Sequence, residues 1–141
     1  MARLVRYLIL TGVVFAAACT DDEIDPHATI VKRGRIESPA SPPTFEIPAT
    51  ATAGQTVPME LTTFGDSCFH AERTEVRQDG NDWIVTPYDR SPRDIGCDDS
   101  LWSISHEFAI TFASAGEVVV VIDGADYADV RKRITATISV Q

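Results

Sequence analysis

Ile104-Ser105-His106-Glu107-Phe108-Ala109-Ile110-Thr111-Phe112-Ala113-Ser114-Ala115-Gly116-Glu117-Val118-Val119-Val120-Val121-Ile122-Asp123-Gly124 is the stretch that decides the fold. Ile104, Phe108, Ile110 and Phe112 share one parity, and Glu107, Ala109 and Thr111 occupy the other, which is the pattern of a strand with one buried face. Ala115-Gly116 turns the chain into a run of β-branched residues that suits a central strand covered on both faces. Downstream, Ile134, Ala136, Ile138 and Val140 alternate again. Upstream, Val57, Met59 and Leu61 alternate with Thr56, Glu60 and Thr62. Pro58 inside that run lacks a backbone donor and predicts an edge or a bulge. Residues 72–78 and 82–88 flank Asp79-Gly80-Asn81, where Gly80 can take the positive φ of a tight hairpin turn. No window from 44 to 141 holds a 3.6-residue apolar period over three turns. The expectation is an all-β chain, an antiparallel sandwich of about seven to eight strands.

The amino-terminal part has a different character. Arg3 and Arg6 precede an apolar run from Tyr7 to Ala18, the layout of an export signal, and the run is too short and too early for a retained membrane span. From Thr20 to Pro43 the chain reads as a tether: Asp21, Asp22, Glu23 and Asp25 are acidic, and Ser38-Pro39-Ala40-Ser41-Pro42-Pro43 favours extended conformations. Residues 28–36 between them could add an edge strand, although their apolar content is thin. The expected organisation is a signal peptide at 1–18, a flexible tether at 19–43 and a β-sandwich domain at 44–141. The whole chain carries a net charge of -9, and residues 1–18 contain two arginines and no acid, so the remainder is more acidic still. That balance argues against nucleic acid as a partner and against a peripheral grip on anionic lipid headgroups.

Cys68 and Cys97 are an even pair in a chain that the leader routes to an oxidising compartment, and a disulfide is the simplest use for them. It would pin the Asp/Pro/Gly-rich loop of residues 90–101 to the end of the Met59 strand, and loops pinned on a rigid sandwich are where binding concentrates. Trp102, Asp98, Asp99 and Tyr88 are the candidate contact residues. The alternative is a metal site: Cys68 and His70 are two apart on one side of an extended chain, and Cys97 with His106 would complete a four-ligand zinc set. His106 also shares parity with Ile104 and Phe108, which would make it part of the core row. A loop Ca²⁺ site on Asp98 and Asp99 is a further alternative. No serine stands in a Gly-x-Ser-x-Gly setting and no Gly-rich phosphate loop occurs, so no catalytic residue and no cofactor are assigned.

Ala16-Ala17-Ala18-Cys19 resembles the lipobox of bacterial lipoproteins, with Ala16 at the position where that family prefers Leu. The resemblance implies that Cys19 becomes the first mature residue and carries a diacylglycerol and a palmitate-type acyl chain. Thr20, in place of Asp, implies sorting to the outer membrane, facing the periplasm. Residues 112–120 resemble the penultimate hairpin of bacterial immunoglobulin-like modules. Phe64-Gly65-Asp66-Ser67-Cys68, Pro87-Tyr88-Asp89 and Cys97-Asp98-Asp99 resemble a pattern recurring in small bacterial lipoproteins, which implies the disulfide and the fold without naming a reaction. The expected protein is a lipid-anchored envelope module that binds or supports a protein or glycan partner without catalysis.

Overall fold

The computed structural model describes residues 29–39, 43, 45–92 and 96–141. The expected signal peptide and Cys19 lie outside them. Nine strands follow one another: β1 (Thr29–Arg33), β2 (Phe45–Glu46), β3 (Thr50–Ala51), β4 (Thr56–Gly65), β5 (His70–Asp79), β6 (Asp82–Pro92), β7 (Trp102–Thr111), β8 (Gly116–Ala125) and β9 (Arg131–Val140). They form a six-stranded sheet in the order β1-β6-β8-β9-β3, with β5 also on β6, and a three-stranded sheet β2-β4-β7. The all-β, two-sheet expectation therefore holds.

Alternation drives the packing. Met59 and Leu61 on β4, Ile104 and Ile110 on β7, Val118, Val120 and Ile122 on β8, and Ile138 and Val140 on β9 all turn inward. Phe112 closes one end of this core at 1% exposure, and the Trp83 ring meets it edge-on, with centroids 6.4 Å apart. The hairpin at Gly80 forms as expected: Asp79 pairs with Asp82, and Gly80 adopts φ 65°.

Three features depart from the sequence reading. First, the large sheet is mixed. β6 runs parallel to β8 through Trp83↔Val120 and Val85↔Ile122, and β3 runs parallel to β9. Second, the Ala115-Gly116 turn does not make a hairpin. β7 pairs with β4 and β8 with β9, so the turn carries the chain from one sheet to the other. The apolar rows of β7 and β8 then face each other across the core instead of lying side by side.

Third, within the segment expected to be a tether, residues 29–33 form the edge strand that the sequence allowed for, and residues 34–36 after it also pack into the fold. β1 pairs with β6 from Thr29↔Pro92 to Arg33↔Tyr88. β5 runs along one edge of β6 from Asp82 to Arg90. β1 and β8 share the other edge and splay apart, and residues 34–36 fill the wedge between them. The Gly34 N–H donates to the Pro87 carbonyl and Ile36 N–H to that of Ala125, both at 2.9 Å, while Phe64 N–H of the small sheet donates to the Arg35 carbonyl at 2.8 Å. The wedge thus stitches the two sheets together. Ile36 seals it at 1% exposure. A Cβ at Gly34 would collide with the Thr63 side chain and come within 2.8 Å of Asp89 Oδ2, so only glycine fits there. One buried isoleucine and one glycine leave little trace in a hydropathy pattern, which is why the segment reads as linker.

Candidate functional site

The disulfide-pinned end is built on the strand exit of β4. Cys68 and Cys97 are bonded, with Cα atoms 5.6 Å apart and a sequence separation of 29. Closing a loop of that size stabilises by about 3.5 kcal/mol on the chain-entropy account. Hydrogen bonds extend the staple: Asp98 N–H donates to Ser67 Oγ at 2.9 Å, and Ser67 N–H to the Asp98 carbonyl at 3.3 Å. Asp66 Oδ1 accepts from Cys68 N–H at 2.9 Å, and Asp98 Oδ1 from Ser100 N–H at 3.1 Å. Trp102 starts β7 opposite Gly65, and stands 54% exposed beside Leu101 at 44%. Phe69 lies against Gly65, and Lys32 Nζ sits 4.6 Å from the centre of its ring. The result is an exposed aromatic and apolar rim on a covalently fixed base.

A second group of polar residues is enclosed. His106 of β7 and Asp89 of β6 are each 2% exposed, with Nε2 2.7 Å from Oδ1. The carboxylate is the acceptor, so Nε2–H donates to it. Thr63 Oγ1 of β4 donates to the same oxygen at 3.1 Å, and Thr74 Oγ1 of β5 is 3.1 Å from Nδ1. Four strands from both sheets meet in this network, and no fully buried side-chain nitrogen or oxygen among the described residues lacks a partner. Burial at this level keeps substrate away from the imidazole.

The third group lies on the outer face of the large sheet. Asp123, 2% exposed, takes Arg131 Nε at 2.7 Å, Arg133 Nε at 3.3 Å and Arg33 Nη1 at 3.1 Å. Arg131 foremost, then Arg133 and Arg33, hold its carboxyl at a pKa of about 2 against the opposing cost of burial. Next to Arg33, Tyr88 lies under Arg33 and Arg73, whose guanidinium carbons are 5.9 and 4.2 Å from the ring centre. On the adjoining corner, Asp129 sits at φ 60° in the β8–β9 turn and takes Arg35 Nε at 2.8 Å and Lys32 Nζ at 3.2 Å. Its carboxyl is lowered chiefly by the Arg35 hydrogen bond.

The outer face of the small sheet is the reverse in charge. Glu46 pairs with Glu60 and Glu60 with Glu107 across β2, β4 and β7, so three carboxylates stand in one cross-strand row. They line a groove of about 620 Å³ together with Pro58, Met59, Phe108 and Ala109.

The residues singled out from sequence are distributed over these regions. Cys68, Cys97, Asp98 and Trp102 come together at the stapled end, and Asp99 is exposed beside them. Tyr88 does not join them; it belongs to the arginine face of the other sheet. The four residues of the zinc alternative are not assembled. Both sulfurs are in the disulfide, His106 is bound to Asp89, and His70 is exposed on β5. Among the described residues the one grouping with ligand-like spacing is Asp66, Cys68 and Cys97, whose sulfurs are oxidised. Sequence reasoning missed the arginine row, the glutamate row and the Asp89–His106 link, since each depends on strand register. No known family model, curated protein or solved structure matches the chain.

Proposed function

We propose that the protein is a lipid-anchored, noncatalytic binding or structural module of a bacterial envelope, an immunoglobulin-like sandwich held to the membrane through Cys19. The observation that carries this reading is the contrast in how side chains are used. The thiols and the buried imidazole are spent on structure, whereas Trp102 and Leu101 stay exposed on a covalently pinned rim. Large apolar residues on a rigid base are the usual anchors of protein and glycan contacts. The two-sheet layout supports the immunoglobulin-like reading, and the parallel β6–β8 pairing is a variation on it.

The test is made in cells that process bacterial lipoproteins. The wild-type chain should incorporate an alkyne-tagged palmitate and fractionate with the outer membrane, and Cys19→Ala should do neither. Crosslinked partners of the wild type should be lost on Trp102→Ala combined with Asp98→Asn. Label persisting in Cys19→Ala would end the anchor reading, and an unchanged crosslinking pattern would end the rim as a contact surface. Reduced thiols carrying one equivalent of metal in the periplasmic protein would instead establish the metal-binding alternative.

A further inference from the structure

We propose that β5 is the interface of a two-fold symmetric dimer, in which this edge strand pairs antiparallel with β5 of a second copy and joins the two large sheets. β5 is hydrogen-bonded to β6 on one side, and among the described residues no strand pairs with its other edge. Its straight part runs from Arg73, just after the bulge between Ala71 and Arg73, to Asp79, where the Gly80-Asn81 turn begins. That part reads Arg-Thr-Glu-Val-Arg-Gln-Asp. Arg73, Glu75, Arg77 and Asp79 share the outer face and pair along the strand, Arg73 with Glu75 at 2.9 Å and Arg77 with Asp79 at 3.3 Å. Thr74 turns to His106 and Val76 to the core, so their side chains leave the backbone edge open.

Backbone and side chains select the same register. The two-residue turn makes Asp79 and Asp82 a hydrogen-bonded pair, so Arg77, Glu75 and Arg73 also bond to β6, and the N–H and C=O groups of Thr74, Val76 and Gln78 point to the open edge. An antiparallel copy must therefore match even-numbered residues with even-numbered ones. Centred on Val76, it sets that residue opposite its own counterpart and Thr74 opposite Gln78, which satisfies all three outward-facing residues of each copy. The same register sets Arg73 opposite Asp79 and Glu75 opposite Arg77, at the non-hydrogen-bonded positions where side chains stand closest. Four opposite-charge pairs result. Sliding one copy to either neighbouring register keeps the backbone parity but opposes Arg73 to Arg77 and Glu75 to itself, or Glu75 to Asp79 and Arg77 to itself. The stretch is thus its own complement read backwards, which is what a two-fold contact between identical chains requires. Arg73 of the second copy also reaches the end of the hairpin where Asp79 and Asp82 stand opposite each other.

The other edge of the sheet is built differently. β3 covers Ser139 and Val140, and β9 begins with Arg131, Lys132 and Arg133 in succession, the kind of charged start with which edges are blunted. Each copy carries a net charge of -9, but screening over about 8 Å at physiological salt leaves the directly facing charges to decide. One strand pair of this length is a small interface, so the association is weak, on the order of 10–100 μM. Nothing in the contact requires the lipid anchor.

The experiment uses a chain beginning at Thr20, which contains every described element and no lipidation site. Its mass is followed by sedimentation equilibrium from about 5 to 500 μM at physiological salt, and should rise from that of one chain toward twice that value. Glu75→Lys and Arg77→Glu each turn two of the four cross-copy pairs into like-charge contacts, and each should weaken association at least about tenfold with unchanged melting. Mixed together, the two variants are complementary again: the new lysine of one faces the new glutamate of the other, and the native Arg77 of the first faces the native Glu75 of the second. The mixture should associate about as tightly as the wild type. In the wild type, amide exchange at Thr74, Val76 and Gln78 should slow as the mass doubles. A single-chain mass over the whole range overturns the proposal. Undiminished association of both variants also overturns it and places the contact on another surface, such as the β9 edge. Variants that stay apart when mixed overturn the register. Should either variant fail to fold, the wild type decides alone, since a doubled mass with unchanged exchange at those three amides rules β5 out.

Discussion

The two outer faces of this sandwich handle charge in opposite ways. On the large sheet, one buried carboxylate gathers three guanidiniums from two distant parts of the chain, and each arginine has a counter-charge within 3.3 Å. On the small sheet, three glutamates stand opposite one another across neighbouring strands, with no cation among them in the described residues; Ser105 Oγ donates to Glu60 at 2.6 Å as a neutral partner. Directly opposed like charges cost stability, whereas a carboxylate under several arginines gains it. One face is therefore fixed in geometry by its charges and the other is loosened by them. What joins the faces is the interior, where the polar network of Asp89–His106 with Thr63 and Thr74 ties the sheets together beside the wedge of residues 34–36.

Cutting that link should produce the largest effect. His106→Ala leaves the Asp89 carboxylate enclosed with only the Thr63 hydroxyl, and stranding a buried charge costs about 3–5 kcal/mol. That is a large fraction of the stability of a small domain. Urea unfolding should show the midpoint falling sharply while the disulfide remains formed. Thr74→Ala removes only the outer hydrogen bond and should cost about 1 kcal/mol. Equal losses for the two variants would mean that the network is not what couples the faces.

Acid should separate the faces next. The folded-state carboxyl of Asp123 titrates near 2, below its ordinary value of 3.8. A depressed carboxylate contributes stability that is fully present above the unfolded value and disappears as pH falls through the folded one, so this contribution, about 2 kcal/mol, should vanish between pH 4 and pH 2. Asp123→Asn should flatten that part of the stability profile. An unchanged slope in the variant would show that the three arginines do not hold the carboxylate as described.

How much of this was legible in the sequence depended on whether a feature is local. The rows of β7, β8 and β9 declare themselves through alternation, the β5–β6 turn through Gly80, and the staple through an even pair of cysteines. Residues 34–36 do not, because their role is to fit a narrow wedge, and a glycine with one isoleucine carries no period. The arginine row was hidden for a different reason. Arg73, Tyr88, Arg33, Asp123 and Arg133 become neighbours only once β1 and β8 are known to share one edge of β6. That sharing includes the parallel β6–β8 pairing, which no hairpin signal announces. His106 was legible as a member of the core row, but its partner Asp89 was not, since the two lie on different sheets.

The smallest effect is also the one that defines the comparison most directly. Glu60 is the central member of its row, with Glu46 on one side and Glu107 on the other. Glu60→Gln removes both like-charge contacts, and the amide can still accept the Ser105 hydrogen bond. Cross-strand pairs contribute roughly 0.2–1 kcal/mol each, so the variant should be more stable than the wild type by about 0.5 kcal/mol, and the gain should shrink in high salt as the repulsion is screened. The matching neutralisation on the other face, Arg133→Gln, should carry the opposite sign, because it takes one of three partners from a buried carboxylate. A stabilised Glu60→Gln beside a destabilised Arg133→Gln, read from paired urea midpoints at low and high salt, is the signature of one face organised by its charges and one strained by them. Loss of stability in both would mean that the glutamate row is itself held by partners, and the asymmetry between the faces would then be one of charge sign alone.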